Sequence, residues 1–110
     1  MIAEIANKRA EIAALCERHG VIRLGVFGSA ARGTDFDPET SDIDFLVLLD
    51  DRKVPDYLHR YFALADDLAT LLSRPIDLVT ERELKSPIFR NAVFRDLESV
   101  YVREGYEAAA

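Results

Sequence analysis

Residues 41–47 read Ser-Asp-Ile-Asp-Phe-Leu-Val, so two aspartates open a run that is otherwise apolar. Aspartate is a poor strand former, and a carboxylate removed from water is costly unless something compensates it. Side chains alternate along a strand, which puts Asp42 and Asp44 on one face and Ile43 and Phe45 on the other. The two aspartate Cα atoms then lie roughly 7 Å apart. Carboxylates at that spacing can converge on a pair of metal ions about 4 Å apart. Hard oxygen ligands with no nearby His or Cys favour Mg²⁺ or Mn²⁺ over zinc. Upstream, Gly28-Ser29 closes another apolar run. Gly28 lets the backbone come close to a ligand, and Ser29 with the free amides of a short helix makes an anion site. A phosphate pocket beside a two-metal carboxylate cluster is the equipment for in-line phosphoryl or nucleotidyl transfer. The sequence holds neither a G-x-x-x-x-G-K-[ST] loop nor a G-x-G-x-x-G turn, so the phosphate site is of another kind.

These residues need elements to hold them. Residues 2–19 carry Ile5, Ile12, Leu15 and Cys16 at helical spacing, with Gly20 placed to stop the helix. Residues 21–27 are predicted as a strand with Ile22, Leu24 and Val26 on one face. Residues 29–32 make a short helix with Ser29 as N-cap and Gly33 as terminator. A loop centred on Asp37-Pro38 leads to a second strand over 43–49. A helix from Pro55 to Ser73 follows, with Leu58, Tyr61, Phe62, Ala65, Leu68, Ala69 and Leu72 on its inner face. A third strand covers 76–80, a helix opens at Pro87 and runs to about 97, and a last strand covers 99–102. A helix between strands two and three makes them a parallel crossover pair. Their N-terminal ends then lie side by side, bringing Asp77 next to Asp42 and Asp44. Strand one ends where strand two begins, so those two are antiparallel if adjacent. The expected fold is α+β: a small mixed sheet with packed helices, in a single domain over 1–110.

The formal charge of −6 argues against a broad basic surface for nucleic acid, and no direct binding to it is expected. One cysteine allows no internal disulfide and fits a reducing compartment. The first twenty residues are rich in charge, unlike a cleavable leader, and no apolar run is long enough to span a membrane. A cytoplasmic protein is expected.

The words "GSAARG" and "SDIDFLV", with a later lone aspartate on a strand, resemble the DNA polymerase β-type nucleotidyltransferase superfamily, in particular its minimal nucleotidyltransferase (MNT) branch. The resemblance runs from Val21 to about Val102. It implies that Gly28 and Ser29 hold the β- and γ-phosphates and that Asp42 and Asp44 hold two Mg²⁺ ions. It implies that Asp77 holds one metal and helps deprotonate an acceptor hydroxyl, with ATP as the nucleotide. Many MNT proteins are antitoxins of a HEPN-domain toxin, usually an RNase, and some transfer AMP to a tyrosine of that toxin. A hetero-oligomer with such a toxin is therefore the implied partnership. Little chain remains outside the core to enclose an acceptor, which fits an acceptor supplied by a partner. Two other readings stay open: a binding-only antitoxin acting sterically, and a transferase for a small molecule of the aminoglycoside kind.

Blander roles stand beside these. Asp77 alone could be a surface residue after Arg74-Pro75. Arg32 could touch phosphate or pair with a nearby carboxylate, and Ser41 could touch phosphate or hold a turn. Cys16 reads as core, and His19 and His59 as surface residues without metal-ligand spacing. Phe89, Val93 and Phe94 read equally as core or as a partner surface.

Overall fold

The computed structural model describes residues 1–50 and 56–106. Four strands form one mixed sheet: β1 (Val21–Phe27), β2 (Ile43–Leu49), β3 (Ile76–Thr80) and β4 (Glu98–Val102), in the spatial order β3-β2-β1-β4. β1 runs antiparallel to both β2 and β4, while β2 and β3 are parallel. The helices are α1 (Ala3–Ala6), α2 (Arg9–Arg18), α3 (Ser29–Arg32), α4 (Tyr57–Leu72) and α5 (Pro87–Asp96), with a 3₁₀ turn at Glu81–Glu83. The mixed sheet, the β1–β2 antiparallel pair and the β2–β3 crossover are those expected. Pro55, where the helix is expected to open, lies outside the described residues; α4 begins at Tyr57 with Asp56 as its N-cap.

The sheet carries a core on each face. Ile5, Ile12 and Cys16 of the N-terminal helices and Leu64, Leu68 and Leu72 of α4 pack with Ile43, Phe45 and Val47 on one side. On the other, Phe27, Leu46 and Val79 pack with Leu84 and Val93, with Leu97 against them. The second core is thinner because α5 is the one long helix packed there among the described residues.

Four local expectations are corrected. The N-terminal helix breaks at Lys8, whose backbone leaves helical geometry. Its ammonium donates to the carbonyl of Leu71 at 2.8 Å, tying the break to the end of α4. In β1 the register shifts between Val21 and Arg23. That extra residue advances the alternation, so Val21 joins Leu24 and Val26 in the main core instead of Ile22. In α4 the buried stripe is Leu64, Leu68 and Leu72, whereas Leu58 and Phe62 are 67% and 61% exposed. The helix is apolar around much of its girth, so its periodicity fits two rotations. Tyr61 belongs to the observed one: its hydroxyl donates to the carbonyl of Leu78 on β3. Finally, Gly28 rather than Ser29 is the N-cap of α3.

Candidate active site

The strand register gathers the site. Antiparallel pairing sets Phe27 opposite Asp44, and parallel pairing sets Asp77 directly beside Asp44. Cross-strand partners share a face, so Asp44 and Asp77 project on the side of Leu46 and Phe27, the side of the second core. Asp42, two residues before Asp44, lies just ahead of β2. Asp44 is half-buried, whereas Asp42 and Asp77 are exposed. None of the three side chains has a hydrogen bond or ion pair among the described residues.

Gly28 turns the chain from β1 into α3 with φ +69° and ψ −152°, a conformation that needs glycine. A side chain there would also collide with the site, because a Cβ would stand 2.7 Å from Oδ2 of Asp44. Ser29 is the first residue of α3, and Gly33 ends the helix in the left-handed region. The opening amides of α3 therefore leave a turn that sits against the Asp44 carboxylate.

Electrostatics mark Asp44 out. Burial first, and the neighbouring charges of Asp77 and Asp42 second, push its pKa up to about 6, while Arg32 pulls the other way. A carboxylate strained by two like charges, without a cation bonded to it, is suited to a positively charged ligand. Among the described residues no group of three or more His, Cys, Asp and Glu closes on one metal ion. The aspartates form an open row at the N-terminal ends of β2 and β3. Such a row fits Mg²⁺, which is commonly held by one or two carboxylates with substrate phosphates completing the shell.

Arg32 is engaged by two carboxylates. Nε and Nη2 meet Asp35 at 3.1 and 2.7 Å, and Nη1 meets Asp96 at 2.5 Å. The hydrogen bonds that the guanidinium donates to Asp35 and Asp96 hold it above its ordinary range; Arg32 in turn holds the Asp35 carboxyl below its own, and Arg95 with Arg32 does the same for Asp96. Asp96 closes α5, so Arg32 ties the α3 turn to the helix across the sheet. Nothing local in the sequence announces Asp96, which is 64 residues from Arg32. Ser41 lies in the preceding loop, where its hydroxyl accepts from the Asp37 amide at 2.9 Å. Phe89 packs edge-on against Phe27 at 6.4 Å between centroids, bringing α5 up to the site.

The chain and its fold have known counterparts. Residues 11–100 match the nucleotidyltransferase domain family, and the chain belongs to that family. It is an enzyme of the nucleotidyltransferase class. It is 41% identical over 88 residues to the protein adenylyltransferase MntA of Thermococcus cleftensis, covering 80% of this chain and 81% of the relative. Among solved structures it resembles one assigned as a minimal nucleotidyltransferase, with 36% identity and a TM-score of 0.69 over 84% of this chain and 89% of that one. It also resembles a chain of a toxin-antitoxin structure with AMP-PNP, with 26% identity and a TM-score of 0.63 over 87% and 74% of the two chains.

Proposed function

We propose that this nucleotidyltransferase is an antitoxin that transfers AMP from ATP to a hydroxyl, a tyrosine, of a partner HEPN RNase toxin in the cytoplasm. The carrying observation is the junction of Asp44, Asp77 and the Gly28 turn at one end of the sheet's strands. The relative named a protein adenylyltransferase and the likeness to a toxin-antitoxin structure with AMP-PNP support the choice of nucleotide and acceptor.

The residues divide the work by position. The Gly28-Ser29 turn would receive the β- and γ-phosphates, its open backbone replacing a side chain. Asp42, Asp44 and Asp77 would hold Mg²⁺ together with phosphate oxygens; the ions, when bound, would neutralise charge at the reacting phosphate. Asp77, exposed beside Asp44, would take the proton of the attacking hydroxyl. The acceptor oxygen then bonds to the α-phosphorus, the bond to the bridging oxygen breaks, and pyrophosphate leaves. Arg32, held by Asp35 and Asp96, would steady the turn that carries the leaving group. Ser41 would shape the loop that delivers Asp42.

The test mixes the protein with ATP, Mg²⁺ and the protein encoded by the adjoining gene. The partner should gain the mass of AMP and lose RNase activity. Asp42→Asn/Asp44→Asn should fold yet fail to modify it. Full neutralisation by that variant, with no mass change on the partner, would replace this reading by steric inhibition.

A further inference from the structure

The direction from which an acceptor can arrive is set by side-chain alternation in β2. One face of the sheet is closed by α1, α2 and α4, and the aspartates project from the other. That second face is only partly covered by α5. Between them lies a groove of about 470 Å³, with Gly25, Leu46 and Val102 on the sheet side and Arg90, Phe94 and Leu97 on the α5 side.

The exposed apolar side chains follow the same face. Six large hydrophobic residues stand exposed among those described, and four belong here: Ile88 at 84%, Phe89 and Phe94 at 41%, and Val102 at 38%. Phe89 joins this surface to the site through Phe27, which is paired with Asp44. Away from the three aspartates, the carboxylates that line the groove are already paired. Glu81, at the groove wall, is neutralised by a two-point bond to Arg23 at 2.8 and 2.7 Å. Asp96 is shared by Arg32 and Arg95. Arg90 stacks over Phe94 at 4.9 Å and has no carboxylate partner among the described residues. Beyond the three aspartates, the groove is thus an apolar surface on which Arg90, among the described residues, is a cation without a carboxylate partner.

We propose that this face, from Ile88 to the Arg90–Phe94 groove, is where the acceptor protein docks, through an apolar segment bearing a carboxylate that meets Arg90. The inference rests on the reading of a protein acceptor and adds the surface that recognises it. Docking on this side sets the acceptor against the aspartates, whereas docking on α4 would leave the sheet between partner and site.

The test uses the full chain and the protein encoded by the adjoining gene. Three variants are compared: Ile88→Asp/Phe94→Asp, Arg90→Glu alone, and Leu58→Asp/Phe62→Asp on α4. ATP affinity with Mg²⁺ reports that each still folds with an intact nucleotide site. Both α5-face variants should lose affinity for the partner, by about 30-fold or more for the apolar pair. They should lose AMP transfer in parallel, while the α4 variant retains both. Loss in the α4 variant alone, or wild-type transfer by both α5-face variants, overturns the docking face while leaving the transfer reading intact. Partner binding that depends on Arg90, with no AMP added by the wild type, upholds the face and removes the covalent reading. If the wild type neither binds nor modifies that protein, both fall.

Discussion

Gly28 and Asp44 are in near contact across the β1–β2 pair: a Cβ on Gly28 would stand 2.7 Å from Oδ2 of Asp44. Gly28→Ala should therefore combine a left-handed strain with a steric one and destabilise the fold by about 1–3 kcal/mol. It should also remove detectable ATP binding with Mg²⁺. Adding Asp44→Ala should recover part of the stability, because the clash goes but the φ of +69° stays. Thermal melts of the two variants and calorimetry with ATP check both halves.

The raised pKa of Asp44 makes the metal-free protein sensitive to pH. Between the ordinary carboxylate range and about 6, the folded state keeps a proton that the unfolded state has released. Stability therefore falls as pH rises through that window and levels off above it. Asp44→Asn should abolish the slope and stabilise the metal-free protein near pH 7 by about 1–3 kcal/mol. Affinity for ATP with Mg²⁺ should run oppositely, rising up to about tenfold per pH unit below the titration. Melts and binding isotherms in a pH series, without and with Mg²⁺, check the two signs.

Asp77 is beside Asp44 in register but exposed. Asp77→Asn should leave most ATP binding in place while lowering the transfer rate by about 10²-fold or more. Equal loss of binding and rate would make Asp77 a binding residue only. Single-turnover transfer measured beside calorimetry separates the two.

Arg32 bridges α3 to α5 through Asp96 at 2.5 Å. Asp96→Asn should raise KM for ATP several-fold, and Asp96→Glu should restore part of it. Arg32→Lys should behave like the loss of Asp96, because an ammonium cannot span Asp35 and Asp96 in one plane. Steady-state kinetics of the three variants check this.

Cys16 is fully buried, and burial pushes its thiol up to about 12. It should resist a thiol reagent at pH 8 in the folded protein and react at once in denaturant. Labelling followed by mass measurement checks it.

The candidate site is legible in the sequence because its signals are local. Two aspartates at period two and a Gly-Ser turn each declare themselves within a few residues, and the topology that joins them follows from one helical crossover. What escaped was set by distant partners. The rotation of α4 depends on Tyr61 reaching Leu78, and a stripe of Leu58 and Phe62 satisfies the same period while facing solvent. The phase of β1 depends on an irregularity between Val21 and Arg23 that no residue type there announces. Asp96 reaches the candidate site through a guanidinium 64 residues away in the chain.

The bond from the Tyr61 hydroxyl to Leu78 has a consequence for association between copies. β3 stands at the margin of the sheet, and a margin strand offers its peptide groups to any passing strand. Tyr61 occupies one of those acceptors from within the same molecule. Tyr61→Phe would keep the ring and hand that carbonyl back to solvent. Concentrated solutions of the variant should form strand-paired aggregates sooner than the wild type, with dye-binding fluorescence rising before any change in ATP affinity.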